Sequence, residues 1–75
     1  MARITHFNPS TRDRYSIHDP IEADILSFER DGRKVLQIDT RGRANRDLPG
    51  KVSQSIQLDA AAALELKRII EKHFG

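Results

Sequence analysis

The sequence has no cysteine and no tryptophan, one tyrosine and three phenylalanines. Without cysteine there is no disulfide framework, no thiolate zinc site and no cysteine nucleophile. Aromatic residues at 5% leave few large side chains to fill a core or to stack on a ligand ring. No apolar run approaches the ~20 residues needed to cross a bilayer, and the N-terminus lacks the apolar h-region of a signal peptide. A soluble, cytoplasmic protein is the expectation.

Catalytic patterns are missing too. The glycines form neither a G-x-G-x-x-G nor a phosphate-loop motif, and His6, His18 and His73 sit in unrelated segments without metal-site spacing. No serine has a histidine and a carboxylate at recognisable positions. The expectation is therefore no enzyme, no cofactor and no metal. Two routes to chemistry stay open: Asp24 and Asp39 as a carboxylate pair across two strands, and convergence of His6, His18 and a carboxylate in space.

What is present is a short, polar chain. Its 75 residues allow one domain. A core of this size rarely gains more than about 3–5 kcal/mol of net stability. Pairing two copies would bury more apolar surface, so a homodimer is expected. Charge is uneven along the chain. Residues 30–51 hold Arg30, Arg33, Lys34, Arg41, Arg43, Arg46 and Lys51 against Asp31, Asp39 and Asp47, a local net of +4 in a chain of net +2. Such a block attracts polyanions such as a phosphate backbone. It is also what a solvated turn and loop look like.

Asp31-Gly32 reads as a two-residue type I′ turn, which needs positive φ at both central positions. It joins a strand from Ala23 to Arg30 to one from Arg33 to Arg41. That turn fixes the pairing: Glu29 with Lys34, Ser27 with Leu36, Ile25 with Ile38 and Ala23 with Thr40 on one face. Phe28 with Val35, Leu26 with Gln37 and Asp24 with Asp39 lie on the other. Residues 41–50 read as a loop. Residues 51–58 alternate as a strand with Val52, Gln54, Ile56 and Leu58 on one side. Asp59 is a helix N-cap and Gly75 a stop. Between them, Ala62, Ala63, Leu66, Ile69, Ile70, His73 and Phe74 form one stripe, expected to pack on the apolar sheet face, with Leu64 opposite it. Residues 1–20 read as an arm or as a short hairpin using Ile4, Phe7, Tyr15 and Ile17 around the Asn8-Pro9-Ser10-Thr11 turn. Residues 21–75 then form a single α+β domain: an antiparallel sheet of three to five strands with one C-terminal helix on one face.

Order and local residues together resemble the positive cofactor four family of transcriptional coactivators and their bacterial and phage relatives. The similar stretch is about 33–70. Lys34-Val35-Leu36 with Asp39 and Arg41 resembles that family's second hairpin strand, and a basic loop follows. Ile56-Gln57-Leu58 resembles its last strand, and Leu66-Lys67 matches a Leu-Lys pair in its helix. Gln54-Ser55 stands where the family usually has Lys-Gly, and Ala63 where it often has an aromatic. The resemblance implies binding of single-stranded DNA, dimerisation through the helical region, and backbone contacts at Lys34, Arg41, Arg43, Arg46 and Lys51.

The sequence thus points to a small module that binds nucleic acid, single-stranded DNA or RNA by preference. Arg33, Lys34, Arg41, Arg43, Arg46 and Lys51 are expected on phosphates, with Tyr15 or Phe28 stacked on bases. The competing reading is a protein–protein interaction module or accessory subunit. It would dock an unidentified partner on the mixed face around Leu26, Phe28 and Val35, with Leu64.

Overall fold

The computed structural model describes residues 1–41 and 52–75. It contains strands β1 (Ala2–Ile4), β2 (Ala23–Arg30), β3 (Arg33–Arg41) and β4 (Val52–Leu58), followed by helix α1 (Ala60–Phe74). The strands form one sheet in the order β1-β4-β3-β2. The fold is α+β, as the sequence predicts, but the sheet is mixed rather than wholly antiparallel.

The β2–β3 hairpin follows from its turn. Asp31 and Gly32 adopt φ of 54° and 73°, the positive pair that matches the twist of the flanking strands. All seven pairings expected from that turn are present, from Glu29 opposite Lys34 to Ala23 opposite Thr40. β4 runs antiparallel to β3, setting Leu36 against Leu58, Gln37 against Gln57, Ile38 against Ile56 and Asp39 against Ser55. The register shifts between Thr40 and Arg41, which face Gln54 and Val52, so Ser53 is an extra residue at a bulge.

The N-terminus differs from the expected hairpin. Ala2–Ile4 pair in parallel with Ile56–Leu58, and the Asp59 N–H continues the pairing by donating to the Ile4 carbonyl at 3.4 Å. Residues 5–22 contain no strand. Pro9 and Pro20 remove backbone donors there, and the intervening charges follow no alternation. Phe7, Tyr15 and Ile17 therefore have no ladder to join.

Alternation along the strands gives the sheet two unlike faces. Ile4, Ile25, Leu36, Ile38, Ile56 and Leu58 share the apolar face, and α1 packs on it over β3 and β4. Asp59 caps the helix: its carboxylate accepts from the Ala62 N–H at 2.9 Å. Gly75 ends it at φ 101°, donating to the Glu71 carbonyl at 3.0 Å. Packing is confined to the first half of the helix. Leu58 is 2% and Ala62 0% exposed, and they are the only fully buried hydrophobic residues among those described. Ala63, Glu65 and Leu66 are half-buried, and every residue from Lys67 onward is exposed. The expectation that Ile69, Ile70, His73 and Phe74 also pack on the sheet of their own chain is thus overturned. Among the described residues, Ile69, Ile70 and Phe74 are 48%, 46% and 81% exposed.

Candidate functional site

The face opposite the helix is open and can be built row by row from the register. At the hairpin tip Arg30 faces Arg33, and the next row sets Phe28 beside Val35. A third row crosses the whole sheet from Leu26 through Gln37 and Gln57 to Arg3. Asp24, Asp39 and Ser55 form the fourth row. Arg41 stands at the far end of β3. The face therefore holds four guanidinium groups and two carboxylates.

Its polar centre is a directed chain of hydrogen bonds. Gln57 Nε2 donates to Gln37 Oε1 at 2.8 Å, and Gln37 Nε2 donates to Asp39 Oδ1 at 2.9 Å. Ser55 Oγ donates to the same Asp39 oxygen at 2.7 Å. All are partly buried, so the amides and the hydroxyl are held in place instead of sweeping through solvent. Met1, Ala2, Arg3, Gln37, Ser55 and Gln57 line a shallow depression of about 320 Å³ beside them. Arg41 Nη2 donates to Asp24 Oδ2, closing a part-exposed ion pair between the two hairpin strands. That bond, with the attraction of the Asp24 charge, raises the Arg41 pKa above its ordinary value. Asp24 and Asp39 do oppose each other as the sequence suggests. Each carboxylate has its own partners, Arg41 for Asp24 and Gln37 with Ser55 for Asp39.

The sequence-derived residues separate in this geometry. Arg33 and Phe28 lie on the open face, and Phe28 is 37% exposed. Lys34 is on the opposite, helix-bearing side, because adjacent strand residues alternate. Arg41 is on the open face but tied to Asp24. Tyr15 is exposed in the segment after β1, where its hydroxyl accepts from the Arg12 N–H at 2.9 Å. Arg43, Arg46 and Lys51 lie outside the described residues. Arg3, Arg30, Gln37, Ser55 and Gln57 were not among the residues expected to form a site. The signal for the last three was the alternation of β3 against β4, which places polar side chains on one side of both strands.

A second polar contact ties the N-terminal segment to the helix. His6 Nδ1 lies 3.0 Å from Glu65 Oε1 and 3.1 Å from Oε2, and the Phe7 N–H donates to Oε1 at 3.2 Å. The His6 contact and then the Phe7 bond hold the Glu65 carboxyl below its ordinary pKa. A depressed carboxylate pKa favours the docked state above the unfolded value, and that contribution is lost as pH falls through the folded value. Residues 5–7 should therefore loosen from α1 in acid. An NMR titration should place the Glu65 midpoint below that of free glutamate, and His6→Ala should move it back upward. An unchanged midpoint in that variant would remove His6 as the cause.

Among the described residues no cluster of three or more His, Asp or Glu could hold a metal ion, and no helix is long and apolar enough to cross a membrane. No protein family, curated protein or solved structure matches the chain.

Proposed function

We propose that the protein binds single-stranded nucleic acid on the sheet face left open by α1. One observation carries this reading. The same face presents a pair of arginines at the hairpin tip, a part-exposed aromatic ring in the next row, and a fixed row of amides ending at Arg3. Single-stranded binders combine cations that track the backbone with flat apolar groups on which bases stack. Arg30, Arg33 and Arg3 supply the first, and Phe28 with Val35 and Leu26 the second. Gln37 and Gln57 offer the donor and acceptor pairs that meet base edges. A strand of nucleic acid crossing from the tip toward Arg3 would pass over all three groups. The resemblance of residues 33–70 to the positive cofactor four family points to the same class of ligand, while the contacts it implies at Lys34 and Arg41 differ from those at Arg3, Arg30 and Arg33.

The face reading makes a prediction that a general basic-patch reading does not. Arg33 and Lys34 are neighbours in sequence and lie on opposite sides of the sheet. In fluorescence anisotropy with a single-stranded oligonucleotide at low salt, Arg33→Glu should weaken binding roughly tenfold or more, since it removes a phosphate contact and adds repulsion. Lys34→Glu should change it far less. Affinity of the unaltered protein should fall steeply as salt rises. Equal losses in the two variants would mean that charge alone matters and the face does not. No binding at tens of micromolar would end the proposal, leaving the apolar part of the same face, Leu26, Phe28 and Val35, as a docking surface for a protein.

A further inference from the structure

We infer that the amide row on the open face reads the edge of a base, selecting guanine and cytosine over adenine and thymine; the inference rests on the single-stranded reading above. The selectivity starts at Asp39. An ionised carboxylate only accepts hydrogen bonds. Gln37 must therefore turn its amide nitrogen toward Asp39, as it does at 2.9 Å. Its oxygen is then left to accept from Gln57 Nε2, at 2.8 Å. The constraint passes on to the second amide. With its nitrogen engaged, Gln57 keeps Oε1 without a partner among the described residues. Ser55 Oγ donates to Asp39 at 2.7 Å and helps to hold the carboxylate in place. One charge thus fixes the sense of two neutral amides that could otherwise flip. Asp39 is in this respect a positioning residue, and Gln57 Oε1 is the acceptor it presents.

Arg3 stands next in the row, paired with Gln57 across β1 and β4. It makes no hydrogen bond or ion pair with another described residue, so its planar fork of N–H groups is available. Arg3, Gln57 and Gln37 line the same depression of about 320 Å³, which Met1 also borders. That volume lies at the small end of ligand sites, about 300–1,000 Å³, and a thioether packs well against an aromatic ring. The row therefore offers two donors followed by an acceptor. A matching base needs two neighbouring acceptors followed by a donor. Guanine has that run in N7, O6 and N1–H, and cytosine has it in O2, N3 and the N4 amino group. Adenine, with N7, the N6 amino group and N1, alternates acceptor, donor, acceptor. Thymine, with O4, N3–H and O2, does the same. Against Arg3 and Gln57 both bases set like groups together at two positions of three. These edges are accessible because an unpaired strand leaves its bases open. Phosphate contacts at Arg30 and Arg33 carry no such information, so affinity and base preference arise at different ends of the face.

Fluorescence anisotropy at low salt tests this with oligothymidine carrying one central substitution. A central guanine or cytosine should tighten binding roughly fivefold or more, and a central adenine should not. Hypoxanthine keeps N7, O6 and N1–H and should act as guanine does. The base 7-deazaguanine lacks the N7 acceptor and should lose most of the gain. Asp39→Asn lets both amides turn, so the ratio of guanine to thymine affinities should fall toward one. That ratio is the readout, because removing a negative charge tightens binding to any strand. Should the variant fail to fold, the base series with the unaltered protein decides the matter. Equal affinity for all the oligonucleotides overturns the inference and leaves the single-stranded reading standing. So does a gain with adenine, a gain with 7-deazaguanine equal to that of guanine, or an unchanged ratio in folded Asp39→Asn. No binding to any of them ends the single-stranded reading itself, and this inference with it.

Discussion

Leu58→Ala is expected to leave most of the chain unfolded at room temperature. Leu58 is the last residue of β4, pairs with Leu36 on one side and Ile4 on the other, and lies under the first turn of α1. It is 2% exposed, and the only other fully buried hydrophobic residue among those described is an alanine. Removing a buried leucine side chain to its Cβ costs about 2–5 kcal/mol, from lost transfer energy and the cavity left behind. A single core in so short a chain rarely supplies more than about 3–5 kcal/mol of net stability. The two figures overlap, so one substitution removes most or all of the margin. Circular dichroism in a urea series at fixed protein concentration measures it. Leu64→Ala serves as the control and should shift stability by no more than about 0.5 kcal/mol, as exposed positions do. A Leu58→Ala variant that unfolds with the native midpoint would mean that the junction of β1, β4 and α1 does not hold the fold.

Phe28→Ala should lower affinity for a single-stranded oligonucleotide by roughly 5- to 150-fold, the equivalent of about 1–3 kcal/mol for one stacked base. The argument rests on scarcity. Phe28 is the only aromatic ring carried by the strands, and it sits one row in from Arg30 and Arg33 on the open face. Among the described residues, no other strand position carries a ring. Its half-exposed position means that part of its area also packs against Val35, so the variant's unfolding midpoint must be read beside its affinity. An affinity loss larger than the fraction unfolded explains assigns the ring to the ligand. Unaltered affinity in a folded variant would leave the arginines as the whole of the interaction.

The hairpin was legible residue by residue because Asp31-Gly32 allows one turn geometry, and a two-residue turn leaves no freedom in register. The helix was legible at both ends for a similar reason: an aspartate placed to cap it and a glycine free to take positive φ. β1 was not. Ala2-Arg3-Ile4 is too short to show a period, and its partner is more than fifty residues away, so no local rule connects them. The helix stripe was legible as a stripe, but sequence periodicity shows which residues share a side and not how far the sheet beneath extends. For the candidate site, the basic residues were grouped by nearness along the chain, which joined Lys34 to Arg33. Strand alternation separates them. The amide row needed the pairing of β3 with β4, and that depends on a ten-residue connection whose length does not set the register.

The parallel β1–β4 rung also dictates an order of assembly. The hairpin can close on its own, whereas Ile4 must find Leu58 across a loop that includes the hairpin itself. The entropy of closing that loop is offset by only three residues of pairing. β1 thus docks only after β4 is in place, and until it does, β4 borders the sheet on that side. A bare border with free amides and carbonyls is a template for strands of neighbouring molecules. Ala2–Ile4 cover that border along Ile56–Leu58.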